Sequence, residues 1–143
     1  MEALTARVLT VKFALAAPKG YQFDAEFTAR LKHDVPELKL TVTTHPRQAV
    51  RDAVAVYTDV WASMGQESET EIRRRVFAEY QIGAELMSHA PESAYFMHCL
   101  PARRGEEVTD EVIDGPRSIV VQQAANRLHV QKGILAWLLG AQA

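Results

Sequence analysis

The sequence predicts a single open α/β domain on a mostly parallel sheet, and three observations predict it. Short apolar runs alternate along the chain with amphipathic stretches of helical period, the pattern of βα units. The length of 143 residues suits one domain, and no repeat, low-complexity tract or internal linker divides it. The balance of 48% hydrophobic and 24% charged residues is that of a chain able to bury a core, which excludes disorder, collagen-like repetition and a disulfide scaffold.

Each element has its own reason. Val8 to Ala16 reads as a strand, stopped by the turn signal Pro18-Lys19-Gly20. A helix follows from Asp24 to Asp34, with Asp24 as N-cap and Phe27 and Leu31 on one face. Leu38 to Thr43 is the second strand. Thr44 is placed to cap a short helix whose first turn tolerates Pro46. Val54 to Thr58 is the third strand, followed by the polar loop Asp59 to Gly65. Ser68-Glu69-Thr70-Glu71 reads as a capping box opening a helix that carries Ile72, Val76, Phe77 and Tyr80. A second helical piece runs from Gly83 to His89, and Ala94 to Met97 is the fourth strand. After a charged loop, Ser118 to Val121 is expected as a fifth strand, and Ala124 to Leu139 as the last helix, ended by Gly140.

Charge and cysteine usage narrow the partners. Sixteen Lys+Arg against eighteen Asp+Glu give a formal charge of −2, without the basic excess that phosphate-backbone binding requires, so nucleic acid is not expected. The single cysteine, Cys99, has no internal disulfide partner, and the first residues lack the charged and apolar regions of a secretory signal. A reducing cytoplasm is the expected setting. No apolar run reaches the roughly 18–20 residues of a membrane span, so a membrane partner is not expected either.

In open α/β sheets, ligands bind beyond the carboxyl ends of the strands. That directs attention to the loops after Thr58 and after Met97. Asp59 is placed to pair with a ligand ammonium while Ser63, Met64 and Gly65 offer backbone and hydroxyl groups; the same residue type at a strand end also serves turns and helix caps. In His98-Cys99-Leu100-Pro101 the thiol is open to three readings, an activated nucleophile, a zinc ligand or a small wall residue of a pocket. A metal site is not expected, since no second cysteine and no His-x3-5-His spacing accompany it. Direct activation of Cys99 by His98 is disfavoured because adjacent side chains of an extended chain point apart. Arg103-Arg104-Gly105-Glu106-Glu107 reads as a solvated loop with a local ion pair, and Arg73-Arg74-Arg75 as a solvated helix face. Arg127, placed early in the last helix where acidic residues are preferred, reads either as an anion contact or as a surface residue. His45-Pro46-Arg47-Gln48 reads as capping chemistry.

Together these motifs resemble the ornithine carbamoyltransferases. Asp59-Val60-Trp61-Ala62-Ser63-Met64-Gly65-Gln66-Glu67 is similar to the family's ornithine loop, and Phe96-Met97-His98-Cys99-Leu100-Pro101-Ala102 to its second signature. Ala17-Pro18-Lys19-Gly20-Tyr21, Arg104 to Asp110 and Asn126 to Lys132 fall in the family's order too, so the resemblance spans essentially the whole chain. Ser63-Met64-Gly65 resembles the ornithine enzymes rather than their aspartate or acetylornithine relatives.

The resemblance implies transfer of the carbamoyl group of carbamoyl phosphate to the δ-amine of L-ornithine, giving L-citrulline and phosphate, with no metal or organic cofactor. It implies that Asp59 pairs with the ornithine α-ammonium and that Ser63 and Met64 hold its amino-acid end. Cys99 and Leu100 would lie beside the δ-amine and carbamoyl group, Leu100 through its backbone carbonyl, and Arg127 would reach carbamoyl phosphate. The implied fold is an open, Rossmann-like sheet with helices on both faces. The family's chain is longer: its first half binds carbamoyl phosphate through a Ser-x-Arg-Thr-Arg helix start and a His-Pro-x-Gln segment. His45-Pro46-Arg47-Gln48 mimics the latter but falls between the second and third strands. Residues 1–143 are therefore expected to be the C-terminal, ornithine-binding domain without that half and without the domain's first strand, inactive alone and prone to self-association. Gln122-Gln123-Ala124-Ala125 departs from the acidic residues that the family tends to place before Asn126. The alternative reading is a noncatalytic amino-acid-binding or assembly module derived from the family.

Overall fold

The computed structural model describes residues 12–62 and 67–140. Residues 8–11 of the first expected strand, and the loop residues Ser63 and Met64, lie outside the described residues.

Two parallel strand pairs form the framework. Strand β1 (Lys12–Ala16) pairs with β2 (Lys39–Thr43), Lys12 opposite Lys39 and Ala16 opposite Thr43. Helix α1 (Ala25–Asp34) supplies the crossover that a parallel pair needs. Asp24 caps it as expected, its carboxylate accepting the Phe27 N–H at 2.6 Å. The helix stops at Val35, before Pro36, which disfavours helical backbone in the preceding residue. The short α2 (Pro46–Ala49) has Pro46 in its first turn, but its N-cap is His45, and Thr43 rather than Thr44 supplies a side-chain oxygen there, to the His45 N–H at 3.1 Å.

Strand β3 (Ala55–Thr58) pairs with β4 (Tyr95–His98), Ala55 opposite Tyr95 and Thr58 opposite His98. Their crossover contains α3 (Thr70–Phe77) and α4 (Ala84–Ser88). The expected capping box does not form. Residues Glu67–Glu69 make a 3-10 turn ahead of α3, Glu69 is the N-cap without a side-chain bond to the backbone, and its carboxylate instead takes the Arg73 Nε–H at 2.9 Å.

The expected fifth strand is also absent as a strand. Ser118 makes one bridge to Phe96, through Phe96 N–H to Arg117 O at 2.8 Å and Ile119 N–H to Phe96 O at 3.0 Å. The β-branched residues that suggested a strand then open the last helix, α6 (Val120–Leu138), which begins before Ala124. The intervening charged loop contains a further short helix, α5 (Asp110–Ile113), whose Val112 and Ile113 are buried.

The core gathers around β3 and β4: Val56, Phe96, Ile82, Met87, Ala94, Val108, Val112, Ile113 and Val120 pack in one cluster. By contrast no residue of β1 or β2 is buried. Among the described residues no helix is long and apolar enough to cross a membrane.

Candidate functional site

The site is built where β3 and β4 end side by side. Their register sets Thr58 opposite His98, so the next residues of the two strands, Asp59 and Cys99, leave the sheet together. The Asp59 Oδ1 atom accepts the Val60 N–H at 2.7 Å and the Cys99 thiol at 3.0 Å. Partial burial and the bond to Asp59 push the Cys99 thiol above the ordinary thiol range. At neutral pH the sulfur therefore keeps its proton and acts as a donor. Of the three readings of this thiol, the activated nucleophile is not favoured, since reactivity needs a lowered pKa. Tyr57, also facing this end of the strands, is pushed up to about 12, first by partial desolvation and then by its Cys99 and Asp59 neighbours.

Beyond Cys99 the chain turns sharply. Leu100 takes a left-handed conformation, φ 56°, and the Leu100–Pro101 peptide is cis. The turn is fastened from below. The Leu100 N–H donates to Nδ1 of His98 at 2.8 Å, and His98 Nε2 lies 3.2 Å from the Glu107 carboxylate, both side chains being fully buried. The same Glu107 oxygen accepts the Arg103 N–H at 2.6 Å. Gln123, in the first turn of α6, accepts the His98 backbone N–H at 3.0 Å.

Cys99, Leu100 and Pro101 form one wall of an open cleft of about 610 Å³, and Ala124, Arg127, Leu128 and Gln131 of α6 form the other. The structure thus brings Cys99, Leu100 and Arg127 onto one cleft, with Asp59 joined to them through its bond from the Cys99 thiol. Arg127 arrives there for a different reason from the one its sequence position suggested. Because α6 begins at Val120, Arg127 stands in the helix interior and not in the first turn, so the preference for acidic residues at helix starts does not bear on it. It is exposed, and among the described residues it makes no ion pair. Ser63 and Met64, expected in the same site, lie outside the described residues. Among the described residues no group of His, Cys, Asp and Glu is placed to hold a metal ion.

Two stretches read as solvated are exposed at Arg103, Arg104 and Gly105 and at Arg74 and Arg75, with the local Arg103–Glu106 ion pair, but each also makes structural contacts. Glu107 is fully buried, and the segment around it is locked: Ile82 N–H donates to Glu107 O at 2.9 Å, Gln81 Nε2 donates to the Gly105 and Glu106 carbonyls, and Arg104 grips Asp114 with both guanidinium nitrogens. That pairing holds the Asp114 carboxyl below its usual range. Arg73 reaches the Trp61 carbonyl at 3.1 Å and lies over the Tyr21 ring, supporting the segment that follows Asp59, while Arg74 joins Glu71 and Glu106. The sequence reads His98 only as a disfavoured activator of Cys99, and its partners Glu107 and Gln123 are the neighbours of the site that sequence reasoning missed. A buried acidic residue nine positions from a buried histidine leaves no periodic signal in a loop.

The chain is similar along almost all of its length to proteins of one family. Residues 2–138 match the family model described as the Asp/Orn binding domain of aspartate/ornithine carbamoyltransferase. The ornithine carbamoyltransferase of Methanopyrus kandleri is 49% identical over 140 residues, which cover 96% of this chain and 45% of that protein. That of Syntrophus aciditrophicus is 53% identical over 133 residues, covering 92% of this chain and 43% of that protein. The solved ornithine carbamoyltransferase from Pyrococcus furiosus superposes with a TM-score of 0.84 at 46% identity, covering 93% of this chain and 43% of that one. The chain spans less than half the length of the relatives it matches. With almost all of its length matched by that domain, and with its fold superposing on a solved relative at 46% identity, the chain belongs to the aspartate/ornithine carbamoyltransferase family.

Proposed function

We propose that this chain supplies the ornithine-binding half of an ornithine carbamoyltransferase, which joins carbamoyl phosphate and L-ornithine to give L-citrulline and phosphate in cytoplasmic arginine biosynthesis. The observation that carries the reading is that Cys99 and Leu100 beyond one strand end and Arg127 on α6 line one cleft, with Asp59 beyond the adjacent strand end bonded to the Cys99 thiol. The arrangement suits positioning and electrostatics rather than covalent catalysis. The neutral δ-amine attacks the carbamoyl carbon, its new C–N bond forms, the C–O bond to phosphate breaks, and the proton that the amine gives up ends on the departing phosphate. Asp59 pairs with the α-ammonium of ornithine, with Ser63 and Met64 at its amino-acid end. Cys99 and the Leu100 carbonyl border the reacting centre, and Arg127 offers its charge to the phosphate or to the developing oxyanion.

Arg127 is the single cation that lines this cleft among the described residues. Removing one such electrostatic donor typically costs about 10²–10³ in rate. One arginine does not suffice for phosphoryl-leaving chemistry, so these 143 residues alone should give no measurable citrulline. A radiochemical assay on protein free of host enzyme checks this, and turnover at a rate typical of complete enzymes would overturn it.

The decisive experiment for the site is ornithine binding by calorimetry or ligand-observed NMR, with Asp59→Ala as control. A charge-assisted hydrogen bond contributes about 1.5–3 kcal/mol, one to two decades of affinity, so the variant should lose most of a signal that is itself of roughly millimolar strength. Equal signals from the two proteins would favour a noncatalytic assembly module instead. The observation favouring that second reading is the exposed apolar surface of α6, which includes Leu128, Ile134, Trp137 and Leu138 and suits self-association.

A further inference from the structure

We propose that His98 is a positioning residue of this site, a neutral imidazole held by Glu107 in its Nε2–H form so that Nδ1 fixes the left-handed turn at Leu100 and sets Cys99 against Asp59. The inference deepens the reading of the cleft given above, but its chemistry stands on the buried pair alone.

The tautomer follows from the donors. A backbone N–H can only donate, so the Leu100 N–H at 2.8 Å requires a bare lone pair on Nδ1. The neutral ring then carries its proton on Nε2, where the Glu107 oxygen accepts it at 3.2 Å. A cationic ring would set Nδ1–H against the Leu100 N–H, two donors face to face in a site from which water is excluded. His98 and Glu107, although a histidine and a carboxylate in contact, therefore act as donor and acceptor rather than as an ion pair. Glu107 is itself held by the Arg103 N–H, and the His98 main chain by Gln123, so the ring has little freedom to rotate.

The turn needs such a fastening. A side chain with a Cβ pays for left-handed backbone, and leucine has no polar group with which to offset it. The Nδ1 acceptor two residues back supplies the missing bond, much as an Asx side chain does in a turn. Cys99 sits between the two ends of this bond, so its direction toward Asp59 is set by it, and Leu100 enters the cleft wall by the same turn.

Two substitutions separate the two halves of the ring. In His98→Asn the amide oxygen stands near the Nδ1 position and can accept from Leu100, but nothing reaches Glu107. In His98→Gln the amide reaches toward Glu107, but nothing accepts from Leu100. The readouts are the ring nitrogen shifts of His98 by NMR and the pH profile of Cys99 alkylation by iodoacetamide, neither of which needs ornithine or turnover. The wild-type ring should show the Nε2–H tautomer at neutral pH. His98→Asn should keep the wild-type alkylation profile within about twofold. His98→Gln should alkylate faster at pH 8 by about tenfold, the change in thiolate fraction that one unit of titration shift produces. If His98→Gln does not fold, shown by circular dichroism, the tautomer and the Asn profile still decide. An Nδ1–H tautomer, or an Asn variant whose Cys99 profile departs from wild type by tenfold, would overturn the proposal. Loss of ornithine binding with these results intact would count against the function and not against His98.

Discussion

The two strand pairs are alike in local sequence and unlike in everything that packing confers. Both are parallel, both are short, and both use a helical crossover. Around β3 and β4, Val56 is 6% exposed and Phe96 fully buried, whereas on β1 Phe13 is 44% exposed and on β2 Val42 is 39% exposed. The difference teaches that strand formation and burial are separate events. Alternating apolar residues make the ladder in each pair, but among the described residues the buried cluster gathers on β3 and β4, and that is the pair whose ends carry Asp59 and Cys99. A site that must hold two side chains 3.0 Å apart sits on the half of the fold with the firmer support.

The largest effect should come from emptying the better-packed half. Phe96→Ala should destabilise by about 3–5 kcal/mol, a large fraction of a domain's stability, while Phe13→Ala should cost less than about 1 kcal/mol. Urea denaturation followed by tryptophan fluorescence measures both, and comparable losses would mean that the two pairs are buried alike. A smaller effect concerns the strand ends. Cys99 titrates higher in the folded chain than in the unfolded one, so the stabilisation from its protonated thiol is complete below the unfolded thiol's range, near about 8.5, and is lost as pH rises through the folded value. Thermal melts from neutral to alkaline pH should show this loss for wild type and a flatter profile for Asp59→Asn. The smallest effect on folding should come from α6. Trp137→Ser together with Leu138→Ser, at positions 67% and 66% exposed, should leave the denaturation midpoint nearly unchanged, within roughly ±0.5 kcal/mol. The same change should reduce self-association in light scattering at tens of micromolar; an undiminished particle size would place the contact elsewhere.

Much of this was legible in the sequence because the informative residues stand where periodicity changes. Asp59 and Cys99 follow directly on apolar runs, and the rule that ligands gather beyond strand ends selects them without knowledge of the partner strand. Asp24 was legible because an N-cap is a local event. Ser118 to Val121 misled for the opposite reason: β-branched residues favour strands only where a pleated surface receives them, and here one bridge to Phe96 is all the surface available before the helix begins. That error also displaced the start of α6 and hence the account of Arg127. Glu107 was illegible because its neighbours come from three separate places, His98 on the strand, Arg103 in the loop and Ile82 from the crossover. Nothing in a run of Arg and Glu distinguishes the one glutamate that folds inward.

The bond from the His98 backbone to Gln123 has a mechanical consequence. Gln123 and Arg127 are four residues apart on α6, so they lie one above the other on a single face. Fastening Gln123 to the end of β4 therefore indexes the rotation of the whole helix, like a key in a shaft. A slip of one residue would turn that face by about 100° and carry the guanidinium away from Cys99 and Leu100. Among the described residues the guanidinium makes no ion pair, so its angular setting follows from the anchors of its helix, Val120 in the core and the uncharged Gln123 amide one turn earlier, through which strand and helix keep their common alignment.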